Sequence, residues 1–288
     1  MSRPKESRLV FFRVNYPHWW GKEVAESILR EAFALPEGKH GEYRGRAWYT
    51  GEFDALTSGR WLFKLGKVRE DLTHGTLKAE QGHYVFPVEG EGPVVPVVRC
   101  LYEPSRNLLV SETTNEISWN QIKGSLEAIF SVTRTEMERQ RREAGDIGHI
   151  LLQPLQKKID FFEWALDVDV TSVSFTFWPT NPNPRRSFER WDQEQQEAKS
   201  DETRLVLRSK SNEINVKSEL IETGISQVTS GYGKASASGK SDGVTQTWHS
   251  ARALVMRVVG WFDRKEEIDR EWGRVAQDAE KDDDESPR

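Results

Sequence analysis

Between Glu42 and Arg69 the chain interleaves aromatic and basic side chains. Tyr43, Arg44, Arg46, Trp48 and Tyr49 come first, then Arg60, Trp61, Phe63, Lys64, Lys67 and Arg69. Such residues suit single-stranded nucleic acid, because exposed rings stack on bases while cations meet phosphates. Arg44, Arg46, Trp48, Arg60, Trp61 and Lys64 are therefore candidate nucleic-acid-binding residues. Arg185 and Arg186 form a second cationic candidate, directly after the proline-rich run Pro179–Pro184. Three prolines there fix φ and remove donors, so the path is stiff and extended. A plainer reading competes for the first group. In Arg60–Val68, Trp61, Phe63 and Leu65 share one face and Lys64 takes the other, as in a half-buried strand.

Signatures of catalysis are missing from the sequence. His18, His40, His74, His83, His149 and His249 are scattered, and a single cysteine completes a poor set of zinc ligands. There is no phosphate-binding GxxxxGK[ST] loop and no GxSxG nucleophile turn. Gly239-Lys240-Ser241 has the end of such a loop, but Lys234 occupies the place of its first glycine. Carboxylates lie close in sequence at Asp160 and Glu163, Asp167 and Asp169, and Glu52 and Asp54. A metal-dependent nuclease could gather such groups with a lysine, although solvated helix and strand edges are their commoner explanation. No cofactor and no metal site are expected.

The elements that must position these residues follow from periodicity. Residues 8–16 read as a strand ended by Pro17, and 22–34 as a helix with Val24, Ile28 and Leu29 on one face. Strands are expected at Arg44–Leu56, Arg60–Val68, His83–Val88, Val94–Tyr102 and Leu108–Glu112. Gly, Pro, Ser and Asn turns separate them, which predicts an antiparallel meander. Ser118 opens a helix striped by Ile122, Leu126, Ile129 and Phe130. The charged stretch 134–148 reads as a connector. Beyond it strands and helices alternate: His149–Leu155, Lys158–Leu166, Val170–Trp178, Phe188–Ser200, Arg204–Ser209, Val216–Thr229 and Tyr232–Ser238. That order predicts a ferredoxin-like α/β sandwich. Leu254, Met256 and Val258 fit a strand, while Leu254, Val258 and Trp261 fit a helix.

The expected class is α+β: a β-rich domain over 1–133, the connector, an α/β sandwich over 149–262, and a charged helix with a disordered acidic tail over 263–288. With 11 Trp and 13 Phe, the large side chains supply the burial that a hydrophobic content of only 36% leaves short. The net charge of −5 belongs to Asp263–Arg288, and the rest is balanced, so any nucleic-acid site must be a local patch. The lone Cys100 sits in an apolar run and permits no internal disulfide, which fits a reducing, cytoplasmic setting. No 18-residue apolar run exists to span a membrane, and Leu9–Val14 is too short for a signal peptide.

Two features, the proline block and the Gly-Tyr-Gly corner, carry a family resemblance through their order and context. The block VTSVSFTFWPTNPNP, then ETRLVLRSKSN and GYGKASASGKSDG, resembles a bacterial family without an assigned activity. The shared features are a strand running into Pro179, Asn181 and Pro182, and a later Gly231-Tyr232-Gly233-Lys234 segment. Gly59-Arg60-Trp61 and Ile117–Gln121 fit more loosely. The chain departs from the family after Pro184, where an acidic residue is replaced by Arg185. The resemblance implies a setting among mobile elements and antiphage defence genes. A binding or sensor component is therefore expected, with nucleic acid or a phage protein as partner, or self-association or a neighbouring gene's product. A nuclease-like toxin or a protein scaffold is the alternative.

Overall fold

The computed structural model describes residues 6–17, 20–67, 78–80, 82–86, 96–141, 149–178, 193, 197–198, 200, 202–210, 213–252 and 254–281. The helix expected at Phe188–Ser200, the His18-Trp19 pair, residues 142–148 of the connector and the acidic end 282–288 lie wholly or largely outside them.

Leu9–Val14 is apolar at every position but Arg13, the pattern of a strand buried on both faces. It forms the middle of β1 (Glu6–Asn15), which leads to α1 (Gly21–Phe33). The strands β2 (Gly41–Tyr43), β3 (Arg46–Ala55) and β4 (Trp61–Lys67) follow. Next come a small hairpin of β5 (Lys78–Glu80) and β6 (His83–Val85), then β7 (Val97–Glu103), β8 (Leu108–Thr113) and α2 (Trp119–Arg141). Arg44 and Gly45, with φ of 53° and 70°, form the turn of a β2–β3 hairpin, so the strand expected from Arg44 begins at Arg46 and gains β2 as a partner. The second half contains β9 (Leu151–Pro154), α3 (Ile159–Leu166), β10 (Asp169–Phe177), β11 (Thr203–Arg208) and α4 (Glu219–Gln227). It closes with β12 (Gly233–Ser241), β13 (Val244–His249), β14 (Met256–Gly260) and α5 (Lys265–Lys281). The ambiguous stretch near residue 256 is therefore a strand.

The architecture is α+β with antiparallel sheets. In the eight-stranded sheet the order is β14-β1-β8-β7-β4-β3-β2, and β9 also pairs with β1. On one face of β1, Val10, Phe12 and Val14 join the core beneath α1 and α2. On the other, Leu9 and Phe11 pack with Ile268, Trp272, Val275, Ala276 and Ala279 of α5. The separate four-stranded sheet has the order β11-β10-β12-β13. Its apolar face carries Val173, Phe175, Phe177, Ala235, Ala237 and Trp248 against α3 and α4.

Three expectations change. The boundary over 134–148 does not separate two sheets, because β9 and β14 both hydrogen-bond to β1. They cover the side of the ten-residue β1 that β8 leaves open. The second sheet is not ferredoxin-like: β10 and β11 are direct neighbours, whereas that fold inserts another strand between its first pair. Residues 265–281 belong to the body, since Trp272 on α5 is fully buried.

Cys100, on β7, is fully buried with its Sγ 3.2 Å from Ser111 Oγ. Burial pushes its thiol up to about 12, against a smaller lowering from the Ser111 hydrogen bond. Because the thiolate is the nucleophile, the native protein is expected to resist thiol reagents at pH 8. One equivalent should react after urea unfolding, and a colorimetric thiol titration checks both halves.

Candidate functional site

The aromatic–basic candidates do not form a stacking platform. Trp48 and Trp61 are 1% and 5% exposed and belong to the main core. Arg60 reaches across the sheet to α5, with Nε 3.0 Å from Glu103 and Nη1 2.9 Å from Asp269. Lys64 pairs with Glu52 at 2.5 Å. Arg44 and Arg46 are exposed at the β2–β3 hairpin, Arg44 lying over its neighbour Tyr43. Rings on a half-buried strand go to the core because each removes a large apolar area from water. The sequence cannot tell that use from stacking on a ligand.

The aromatic and cationic pairing appears instead on the second sheet. One face of its strands is spent on the core, so strand alternation sends the other set outward. That set comprises Ser172, Ser174 and Thr176 of β10, Arg204, Val206 and Arg208 of β11, Lys234, Ser236, Ser238 and Lys240 of β12, and Thr245, Thr247 and His249 of β13. Arg204, Arg208, Lys234, Lys240 and His249 are exposed. Thr176 lies opposite both Arg204 and Lys234 in the ladder, and Ser236 lies opposite His249. Arg204 Nε donates to Ser174 Oγ at 3.3 Å. Half-buried Trp178 continues β10 on this side, with Lys234 Nζ 5.6 Å from its ring centroid. At this end a cleft of about 380 Å³ is lined by Ser174, Thr176, Glu202, Arg204, Lys234 and His249, among others. Signals for this face stood in the sequence: the alternation in TSVSFTF and KASASGK, with lysines at both ends of the second.

The Gly-Tyr-Gly corner holds Lys234 in place. After α4 the chain makes a wide turn, Val228–Tyr232, in which Gly231 has φ 85°. A Cβ there would stand 2.5 Å from Arg13 Cβ. Asn15 Nδ2 donates to Gly231 O at 2.8 Å and Arg13 Nε to Ser230 O at 3.2 Å, so β1 grips the turn. Tyr232 is buried, its ring 5.1 Å from the Arg13 guanidinium. Gly233 is needed for a different reason, because a Cβ there would meet Thr176 O at 2.4 Å. Gly231, Tyr232 and Gly233 are thus structural, and Lys234 is the residue they deliver to the surface. Phe177 pairs with Gly233, so the strand that leads into Pro179 and the Gly-Tyr-Gly-Lys segment meet at one end of the sheet. Pro179, Asn181, Pro182, Arg185 and Arg186 themselves lie outside the described residues.

The carboxylate pairs fare differently. Glu52 is held by Lys64 and by the backbone N–H of Phe86, and Asp54 by Lys265 at 2.6 Å. Asp160 and Glu163 lie on α3, and Asp167 and Asp169 near the start of β10. Among the described residues no group of three or more His, Cys, Asp and Glu is placed to hold a metal ion. Nor is any described helix long and apolar enough to cross a membrane.

A family model described as a domain of unknown function, DUF4747, matches residues 71–258. No curated protein matches the chain. The matched span runs from just before β5 to β14, and so contains the whole second sheet.

Proposed function

We propose that this chain, which belongs to the DUF4747 family, is a non-enzymatic component that binds single-stranded nucleic acid on the open face of its second sheet. The observation that carries this reading is the convergence of Arg204, Arg208, Lys234 and Lys240 with a row of hydroxyls and Trp178 on one exposed surface. Cations meet phosphates, hydroxyls bond to phosphate and sugar oxygens, and the face of a partly exposed ring stacks on a base. The face also lies within the family match, whereas the aromatic–basic strands β3 and β4 lie before it. The setting we assign is bacterial antiphage defence, or the regulation of mobile elements, as a sensor of foreign or displaced strands. The resemblance carried by the proline block and the Gly-Tyr-Gly-Lys segment supports that setting.

Fluorescence anisotropy with labelled single strands, as DNA and as RNA, tests the binding. Four phosphate contacts give a slope of log K against log salt of about −2 to −3, at roughly −0.7 per contact on a single strand. Lys234→Ala and Arg208→Ala are each expected to weaken binding and to flatten that slope by about 0.7. Binding that ignores salt, or variants that bind like the parent, would remove the reading.

A further inference from the structure

Resting on that reading, we infer that the cleft at the Trp178 end of the open face is a subsite for one terminal nucleoside monophosphate. Arg204 and Lys234 flank Thr176 on neighbouring strands, about 10 Å apart at two strand spacings of roughly 4.8 Å. Side chains of that length converge from the two sides on a single phosphate above the Thr176 floor. A guanidinium supplies paired donors for phosphate oxygens and an ammonium adds a point charge. Ser174 and Ser236 stand one step further along the same face, with His249 beside Ser236.

Trp178, beside the cleft through its contact with the lining residue Lys234, and the Glu202 wall select what accompanies the phosphate. Trp178 is half-buried, and its ring already carries the Lys234 ammonium on one side, the combination that receives a base next to its own phosphate. Glu202 lines the cleft beside the two cations. A carboxylate there accepts hydrogen bonds from sugar hydroxyls and repels any second phosphate group. One phosphate fits and a di- or triphosphate chain does not. The volume, about 380 Å³, stands near the lower end of small-ligand sites, roughly 300–1,000 Å³, and takes one nucleotide rather than a stacked helix. The exposed cations Arg208 and Lys240 continue from the cleft along the sheet, the direction in which the rest of a strand would run. The monophosphate can reach the cleft as the phosphorylated end of a strand or as a free nucleotide.

The test is anisotropy with the full chain and a labelled 12-mer carrying a 5′-phosphate, a 3′-phosphate or hydroxyls at both ends. Unlabelled nucleoside monophosphates, nucleoside triphosphates and inorganic phosphate serve as competitors. Expected is a preference of at least tenfold for one phosphorylated end, with competition by a monophosphate at concentrations where the triphosphate and inorganic phosphate fail. Arg204→Ala and Trp178→Ala should abolish that preference, while Arg208→Ala weakens all three oligonucleotides equally. Glu202→Gln should let the triphosphate compete. Equal affinity for the three ends, with no competition by monophosphates, overturns the subsite and leaves the sheet-face reading intact. Monophosphate binding that Arg204→Ala removes, without salt-sensitive binding of any strand, keeps the subsite for a free nucleotide and overturns the sheet-face reading.

Discussion

Replacing Trp272 by Ala is expected to lower the free energy of unfolding by about 3–5 kcal/mol, the range for emptying a buried aromatic site. The indole is fully buried between α5 and the face of β1 that carries Leu9 and Phe11. Its outer neighbour is the Arg99 guanidinium, 5.5 Å from the ring and 4.1 Å from that of Trp261. Arg99 in turn forms a two-pronged pair with Glu112 and donates to the carbonyl of Phe262, just before α5 begins. Arg60 holds Asp269, and Arg13 holds Glu280 at 2.6 Å, joined there by Arg106. The helix is therefore seated on Arg13, Arg60 and Arg106 through two of its carboxylates, Asp269 and Glu280. Native domains have total stabilities of about 5–15 kcal/mol, so a loss of this size removes a large share. Urea unfolding should show a midpoint shift without a change in slope. A loss under about 1 kcal/mol would mean that α5 is not docked as described. Asp269→Asn, which leaves the packing and removes one partly exposed pair, should cost much less.

How much of this could be read from the residues varies by scale. The local elements were legible because their signals are local: the apolar run of β1, the stripe of α2, the alternation of β10. The partnership of β1 with β9 and β14 was not, since Leu151–Pro154 and Met256–Gly260 carry no mark of which edge they will cover. Arg60 and Trp61 show the same limit at the level of single residues. An arginine beside a tryptophan serves equally for gripping phosphate and for holding a helix, and only the arrival of Asp269 from more than 200 residues away decides between them. The spacing of Ile268, Trp272 and Val275 already marked α5 as amphipathic; the surrounding charge hid that it covers the sheet. For the open face, Val173, Phe175 and Phe177 were readable as an inward set. The outward set they imply, Ser172, Ser174 and Thr176, acquires meaning only when the ladder brings Arg204 and Lys234 to either side of Thr176.

That dependence on the ladder makes Gly231 the position where stability and binding are expected to fall together. Its φ of 85° costs an L-residue roughly 1–2 kcal/mol. An added methyl would also stand 2.5 Å from Arg13 Cβ, and crowding of a packed site adds about 1–3 kcal/mol. Gly231→Ala is therefore expected to destabilise the protein by about 2–5 kcal/mol. Gly243 isolates the two contributions. It has φ 79° in the β12–β13 turn with open space around its Cα, so Gly243→Ala should cost only the backbone share. The difference between the two variants in urea unfolding measures the contact with Arg13. Gly231→Ala has a second consequence that Gly243→Ala lacks. Relief of the clash must move the turn away from β1, loosening the Asn15 and Arg13 hydrogen bonds that fix it. Lys234 lies three residues on, at the start of β12, so its ammonium shifts relative to Arg204 and Trp178. Under conditions where Gly231→Ala remains folded, single-strand affinity should drop about tenfold, the equivalent of 1.4 kcal/mol. The Gly243→Ala variant should bind like the parent. Unchanged affinity in a destabilised Gly231→Ala protein would separate the anchor from the site.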